Sequence, residues 1–123
     1  FSKSKPWLPI DENHLPLAVT NQEIASESTL QFFRQFLSWR KRYPELLIGD
    51  IHLLTPCENA IAWVRKLDNR ELVCVFNMTE CTQTYDTGLS GLTPLDVPGF
   101  ENSNNEDGVV TLASLTAFFA VVE

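Results

Sequence analysis

Residues 26–43 constrain the fold most, because they predict one helix with an unusually wide apolar face. The N-cap is expected at Ser26 or Ser28. Ser28 followed by Gln31 fits a capping box, and Pro44 is placed to stop the far end of the helix. At about 100° per residue, large apolar side chains cover about half of the helix circumference. They are Leu30, Phe32, Phe33, Phe36, Leu37, Trp39 and Tyr43. A face this wide predicts packing neighbours on two sides of the helix.

Arg40 falls in the middle of this apolar arc. An unpaired guanidinium there would be costly, so we expect Arg40 to reach a carboxylate or a set of backbone carbonyls. We interpret it as a structural residue.

The chain after this helix has the period of β-strands. The segment LLIGDIHLL, from residue 46, predicts a first strand, and AIAWVRK and ELVCVFN predict a hairpin that turns at Asp68-Asn69. Alternation places Ile61, Trp63 and Arg65 on one face, and Leu72, Cys74 and Phe76 on one face of the partner strand. Further strands are predicted in CTQTYD, VVTL and TAFFAVVE, separated by a loop with one short strand at most.

The first 25 residues contain Pro6, Pro9 and Pro16, which predict an extended connector. The fold class that follows is mainly β: an antiparallel β-sandwich or partial barrel, preceded by this connector and one α-helix. Residues 1–43 and 44–123 form the two expected parts.

Composition excludes several classes of protein. The 123 residues suit one domain, and no apolar run approaches the roughly 18–20 residues of a membrane span. A net charge of −7 argues against a nucleic-acid partner. No targeting segment is visible, and Phe1 in place of Met suggests that the chain begins inside a longer polypeptide. The odd number of cysteines, Cys57, Cys74 and Cys81, favours a reducing cytoplasm.

Few residues offer chemistry. Asp50 and His52 share a strand face, which is more typical of two solvated side chains than of a base and its orienting group. The adjacent residues 11–14, DENH, lack metal-site spacing, and 101–107, ENSNNED, lack the calcium-loop pattern and predict a mobile surface loop. Cys74 alternates with core residues and is interpreted as a small buried hydrophobe. We predict no catalytic, cofactor-binding or metal-binding residue in this chain, and no cofactor.

Two further patterns concern possible contacts with sugars. The triplet NMT at 77–79 matches an N-glycosylation acceptor but carries little weight without a secretory signal. Trp39 and Trp63 are predicted to pack in the core rather than to stack on sugars, while Trp7 is undecided.

Three strings in order resemble one family. KPWLPI near the start, STLQFFRQFLSWRKRYPELLIGD at 28–50 and ENAIAWVRKLDNRELVCVFNMT at 58–79 resemble the C-terminal end of bacterial α-glucosidases of glycoside hydrolase family 13. The resemblance implies that residues 1–43 are the connector and last helix of a (β/α)8 catalytic barrel, and that 44–123 are the β-sandwich called domain C. The family's three catalytic carboxylates lie upstream of the matching strings, so the resemblance carries none onto this chain.

The implied function is that of the structural C-terminal region of an α-glucosidase, which acts on an oligosaccharide substrate through its barrel and is inactive without it. An alternative is an independent carbohydrate-binding module, and another is the C-terminal domain of a trehalose-6-phosphate hydrolase or a trehalose synthase. A third is an interaction domain that uses the helix face. The wide apolar face also predicts an exposed patch, or a homodimer contact of the fragment.

Overall fold

A computed structural model describes residues 4–100 and 103–123. Eight antiparallel strands form two sheets over most of this length. They are β1 (Asp50–Leu53), β2 (Ala60–Leu67), β3 (Arg70–Asn77), β4 (Gln83–Asp86), β5 (Leu92–Pro94), β6 (Ser103–Glu106), β7 (Val109–Leu112) and β8 (Ala117–Val122). One sheet has the order β1-β2-β3-β8-β5 and the other β4-β7-β6. The fold class predicted from the sequence, a mainly β sandwich, is confirmed.

The central hairpin follows the predicted register. Leu67 pairs with Arg70 across the two-residue turn, and Asp68 takes the positive φ of 53° that such turns need. Ile61 opposes Phe76, Trp63 opposes Cys74 and Arg65 opposes Leu72. These six side chains therefore share one face of the sheet, as alternation predicts.

Both faces of the five-stranded sheet are covered in its middle, at β2, β3 and β8, whereas β1 at one edge is exposed. One face packs on the smaller sheet, where side chains of β2, β3 and β8 meet Tyr85, Val110 and Leu112. The opposite face, which we call the outer face, packs on Trp39, Leu46 and Val97. β3 and β8 are buried on both sides, which explains their nearly continuous apolar sequence.

The long helix exists but is shorter than predicted. It is α2, Thr29–Arg40, and the Ser28 hydroxyl at its N-cap accepts a hydrogen bond from the Gln31 amide at 3.2 Å. The Gln31 side chain bonds the Glu23 carbonyl instead of returning to Ser28, so the reciprocal half of the capping box is missing.

Four predictions about other segments are wrong. Pro44 does not stop the long helix; it occupies the first turn of a separate helix, α3 (Pro44–Ile48), and the strand expected from residue 46 begins at Asp50. The connector is not extended throughout, since it contains a 3-10 helix at Glu12–Leu17 and helix α1 at Val19–Ile24. The described part of 101–107 is not a loop, because Ser103–Glu106 form β6.

These errors have two main causes. Proline fits the first turn of a helix as well as the residues beyond a helix, and a short apolar run such as ELLI suits a helix or a strand. β6 carries only polar side chains, so pairing with β7, and not hydrophobic pattern, makes it a strand.

Candidate functional site

The most distinctive surface of the molecule is the outer face of the larger sheet, where α2 lies across aromatic side chains. Trp39 is buried and meets Phe119 of β8 edge-on, with ring centroids 5.1 Å apart. Trp63 and Phe76 stack at 4.9 Å on neighbouring strands. Both tryptophans therefore pack internally, as predicted, and do not form a sugar-stacking platform.

A cavity of about 380 Å³ remains between α2 and this outer face. Its walls are mainly aromatic, and include Phe32, Phe33, Phe36, Trp63, Phe76 and Phe119. This volume is within the range of about 300–1,000 Å³ that is typical of ligand pockets. We call it the aromatic cavity.

A tight turn closes one wall of the aromatic cavity. Phe100 contacts the rings of Phe32 and Phe36, and its amide donates to the Val97 carbonyl. Gly99 within the turn has φ of +79°, and a Cβ there would lie 2.5 Å from the Phe32 ring. Glycine is therefore required for the turn to lie directly on α2.

Two guanidinium groups line the same cavity. Arg40 donates from Nη2 to the Leu46 carbonyl at 2.8 Å, and Arg65 donates from Nε to the Glu45 carbonyl at 2.9 Å. The expectation that Arg40 reaches backbone carbonyl oxygen is thereby confirmed. Within residues 4–100 and 103–123, neither arginine has an ion-pair partner. Each guanidinium carries five N–H groups, so both retain donor capacity beyond these single bonds.

Glu45 is a buried carboxylate that the sequence analysis did not identify. It lies in the first turn of α3 and pairs through Oε1 with the Nε of Arg70 on β3. Its other oxygen, Oε2, is buried with no hydrogen-bond partner in the described part of the chain. The sequence Pro44-Glu45 was the available signal for a helix start at this point. Proline fits the first turn of a helix, and acidic residues are favoured at helix N-termini.

Cys74 lies in the wall of the aromatic cavity between the sheet and α2. Desolvation by burial raises the pKa of its thiol to about 12, and the nearby positive charge of Arg65 opposes this increase. A thiol with such a pKa stays protonated and inert at neutral pH. The interpretation of Cys74 as a small buried hydrophobe is confirmed.

The apolar arc of α2 is covered on one side only within the described chain. Trp39 is buried, whereas Phe33 is 52% and Leu37 45% exposed. The part of the arc that faces the sheet is packed against it, and the part that carries Phe33 and Leu37 faces outward. Of the two packing sides predicted for the helix, the described chain therefore supplies one, which is the sheet.

The remaining candidate residues do not converge. Asp50 and His52 are both exposed on β1, and Asp11 caps the 3-10 helix by accepting from the Asn13 amide. Among the described residues, no group of three or more potential ligands could hold a metal ion. Residues 101 and 102 of the acidic stretch lie outside the described residues.

The structure also places Trp7 and the Asn77 of the NMT triplet. Trp7 is 91% exposed, and Asn77 is buried. The Asn77 amide nitrogen donates to the carbonyls of Cys81 and Ala113, both at 2.7 Å. In the folded chain this amide is occupied, so the NMT triplet does not present an accessible acceptor.

No protein-family model matches the chain. A probable α-glucosidase of Rhizobium meliloti is 37% identical over 120 residues, covering 98% of this chain and 22% of that protein. The salivary α-glucosidase of Aedes aegypti is 37% identical over 93 residues, covering 75% of this chain and 16% of that protein. The chain thus spans about a fifth of the length of these curated relatives.

Solved structures agree with these matches. An α-glucosyl transfer enzyme superposes with a TM-score of 0.87 at 29% identity, covering 97% of this chain and 22% of that one. A trehalulose synthase superposes with a TM-score of 0.80 at 19% identity, over 100% of this chain and 23% of that one, and shows the fold alone.

The two-sheet sandwich with a helix across its outer face is of the domain C type found in α-amylase-family enzymes. More particularly, the chain corresponds to the C-terminal region of α-glucosidases of glycoside hydrolase family 13.

Proposed function

We propose that this chain is the structural C-terminal region of a retaining α-glucosidase that releases terminal α-linked glucose from malto- or isomalto-oligosaccharides. The observation that carries the proposal is the match to the Rhizobium protein over 98% of this chain but only 22% of that protein. The catalytic carboxylates then belong to the remaining part of the enzyme, and the domain boundary falls at 43/44.

The carboxylates of the described chain support an inactive role. A retaining glycosidase needs two carboxyl groups about 5–5.5 Å apart that face a substrate. Glu45, the buried one here, is engaged by Arg70 and lies against the sheet. The role of the chain is burial: the sandwich covers one side of α2, at about 25 cal/mol for each Å² of apolar surface removed from water.

The direct test is hydrolysis of p-nitrophenyl α-glucoside by the purified 123-residue chain and, in parallel, by the complete polypeptide that carries it. We expect turnover by the complete polypeptide and none above the blank by the chain alone. Turnover by the chain alone would overturn the assignment of the carboxylates to the rest of the enzyme.

Maltose titration followed by tryptophan fluorescence separates this proposal from a carbohydrate-binding module. Trp39 and Trp63 are engaged in the core, which leaves the exposed Trp7 as the sugar-stacking candidate among the three. We expect no saturable quenching. Trehalose-6-phosphate hydrolase or trehalose synthase activity of the complete polypeptide would instead select those relatives.

Location and association are part of the same proposal. Cys57 and Cys81 are exposed free thiols, which favours a reducing cytoplasm. Among the described residues no helix is long and apolar enough to cross a membrane. We also expect the isolated chain to self-associate weakly through Phe33 and Leu37, because an exposed apolar patch favours contact with another surface.

A further inference from the structure

β1 forms one edge of the larger sheet, and this edge is open to water. The strand pairs with β2 on one side, and within residues 4–100 and 103–123 no strand pairs with it on the other. All four of its residues are exposed, and Leu53 is 77% exposed. The opposite edge of the sheet, β5, includes Pro94, which has no N–H group and so opposes further pairing. β1 contains no proline, so its edge is able to accept another strand.

The pairing of β1 with β2 determines which backbone groups of β1 are at the free edge. The Leu54 amide donates to the Ala62 carbonyl at 3.0 Å across this pair of strands. Hydrogen bonding in an antiparallel pair alternates along the strand. Every second residue before Leu54 therefore turns its backbone groups toward β2, and the amides and carbonyls of Ile51 and Leu53 point to the free edge. Helix α3, which precedes β1, packs over β2 and β3 and so does not cover this edge.

The side chains of β1 divide between the two faces of the sheet. Ile51 and Leu53 lie on the outer face, where Leu53 opposes Trp63. Asp50 and His52 lie on the opposite face, because side chains alternate along a strand. The strand thus carries two apolar side chains on one face and an acid and a histidine, two positions apart, on the other.

This pattern is complementary to itself in an antiparallel arrangement. A two-fold axis through Ile51 places this residue opposite its own copy, so that each Ile51 amide can donate to the other Ile51 carbonyl. Asp50 of each copy then lies opposite His52 of the other, which forms two carboxylate–imidazole pairs. An imidazole has a ring N–H to donate in either protonation state. Leu53 lies opposite Gly49, which has no side chain to crowd it.

Other registers of the same pairing lose this match. Shifting one copy by two residues places either Asp50 opposite Asp50 or His52 opposite His52. Neither arrangement forms a carboxylate–imidazole pair, and the first brings two carboxylates together, which is unfavourable. A shift by one residue turns the free backbone groups of Ile51 toward residues whose own groups are bonded to β2. The sequence of β1 therefore favours the register centred on Ile51.

We propose that β1 is a dimerisation edge, on which a second copy of the same chain adds its own β1 in antiparallel order about a two-fold axis at Ile51. The two five-stranded sheets then become one continuous sheet. Backbone hydrogen bonds hold the two strands together, and the pairs of Asp50 with His52 set the register. This contact is separate from the Phe33 and Leu37 surface of α2, and it does not depend on the proposed glucosidase activity.

Disulfide formation in the complete polypeptide tests the register. In the proposed dimer the two Ile51 Cα atoms are about 5.5 Å apart, which suits a disulfide, so Ile51→Cys oxidised with diamide should give a linked dimer. Leu53→Cys is the matched control, because it lies on the same face and edge but its two copies are roughly 13 Å apart. Both variants carry Cys57→Ser and Cys81→Ser, since these thiols are exposed. Equal dimer yields from the two variants, or no dimer from Ile51→Cys, would overturn the proposal.

Charge substitutions, measured by sedimentation velocity of the complete polypeptide, test the pairs of Asp50 with His52. His52→Asp brings carboxylates together at both contacts and should raise the dissociation constant of the dimer about tenfold. The double substitution Asp50→His, His52→Asp restores the pairs and should recover most of the affinity. His14→Asp makes the same charge change at an exposed residue of the 3-10 helix and should have no effect. No recovery in the double variant, or an equal effect of His14→Asp, would contradict the proposed register.

A last variant separates β1 from the surface of α2. Phe33→Gln and Leu37→Gln, added to the Ile51→Cys background, remove the exposed apolar side chains of α2. The yield of the linked dimer should stay unchanged, because neither residue lies on β1. Loss of the linked dimer in this variant would assign the contact to α2 and reject the role of β1.

Discussion

The side chain of Asn77 hydrogen-bonds to three separate residues of the fold. Besides its two donated bonds, its Oδ1 accepts from both the amide and the hydroxyl of Thr79 at 2.9 Å. One buried side chain thus ties the end of β3 to the segment that leads to β4 and to the residues after β7.

Asn77→Ala should lower the free energy of unfolding by about 2 kcal/mol, because it removes the donor to the part-buried carbonyls of Cys81 and Ala113 and the acceptor of the Thr79 amide. Urea denaturation measures the change. Asn59→Ala is the matched control: Asn59 is exposed and its 3.5 Å contact with Gln83 is long, so its effect should stay within about 0.5 kcal/mol. Equal effects of the two substitutions would contradict the role given to Asn77.

The Cys74 thiol should make stability fall at high pH. Its folded-state pKa is raised to about 12, so the unfolded chain releases this proton first as the pH rises. The stabilisation is therefore complete below about pH 9 and is lost between about pH 9 and 12, at up to about 1.4 kcal/mol per pH unit.

Unfolding curves of the wild type and of Cys74→Ala, recorded from pH 7 to 11, test this prediction. The difference in unfolding free energy between the two should shrink above pH 9. Tyr85, whose pKa is raised by desolvation and by the neighbouring Cys57 and Asp86, adds to the alkaline loss in both proteins and cancels in the difference. If the difference in unfolding free energy between the two proteins does not change with pH, the raised pKa of the Cys74 thiol is rejected.

At the scale of elements, α2 depends on its N-cap and on the sheet below it. The Ser28 hydroxyl accepts from Gln31 and also donates to the Gln22 carbonyl at 2.8 Å, so it joins the start of α2 to the end of α1. Ser28→Ala should therefore cost about 1 kcal/mol. Ser38→Ala, at an exposed interior position of the same helix, should be neutral or slightly stabilising because alanine favours helices.

Thermal or urea unfolding followed by circular dichroism measures both serine substitutions. A cost for Ser38→Ala that matches that of Ser28→Ala would show that helix propensity, and not the cap, sets the effect.

The elements also show what a single sequence can predict. The cap at Ser28, the Asp68-Asn69 turn and the common face of Trp63 and Cys74 follow from local spacing, and all three are confirmed. The polar strand β6 could not be found in this way, and Pro44 alone fits both the start of α3 and the residues beyond α2. Their structure is decided by packing on β2 and β3 and by pairing with β7, which local sequence does not encode.

The same limit applies to the candidate site. The expected carbonyl partner of Arg40 followed from the cost of an unpaired guanidinium in an apolar arc. The aromatic cavity and the Glu45–Arg70 pair could not be predicted, because they need the relative placement of α2, α3 and β3.

At the scale of the whole molecule, the outward side of α2 presents Phe33 and Leu37 to water beside the aromatic cavity. We expect it to bind an environment-sensitive apolar dye, and the double substitution Phe33→Gln, Leu37→Gln to reduce this binding. Stability should change little, because both side chains are about half-exposed. Dye fluorescence and sedimentation velocity measure binding and association.

The matched control is the pair Ile24→Gln, Val19→Gln, which removes two exposed apolar side chains of α1 outside the cavity wall. An equal loss of dye fluorescence in this control would show that the dye does not select the α2 surface.

The position of β8 has a consequence for synthesis. This strand joins β3 on one edge and β5 on the other, and its residues 117–122 are made after every strand they pair with. During synthesis β3 therefore has an unpaired edge until β8 emerges. We expect this edge to be open to contact with other chains during that interval.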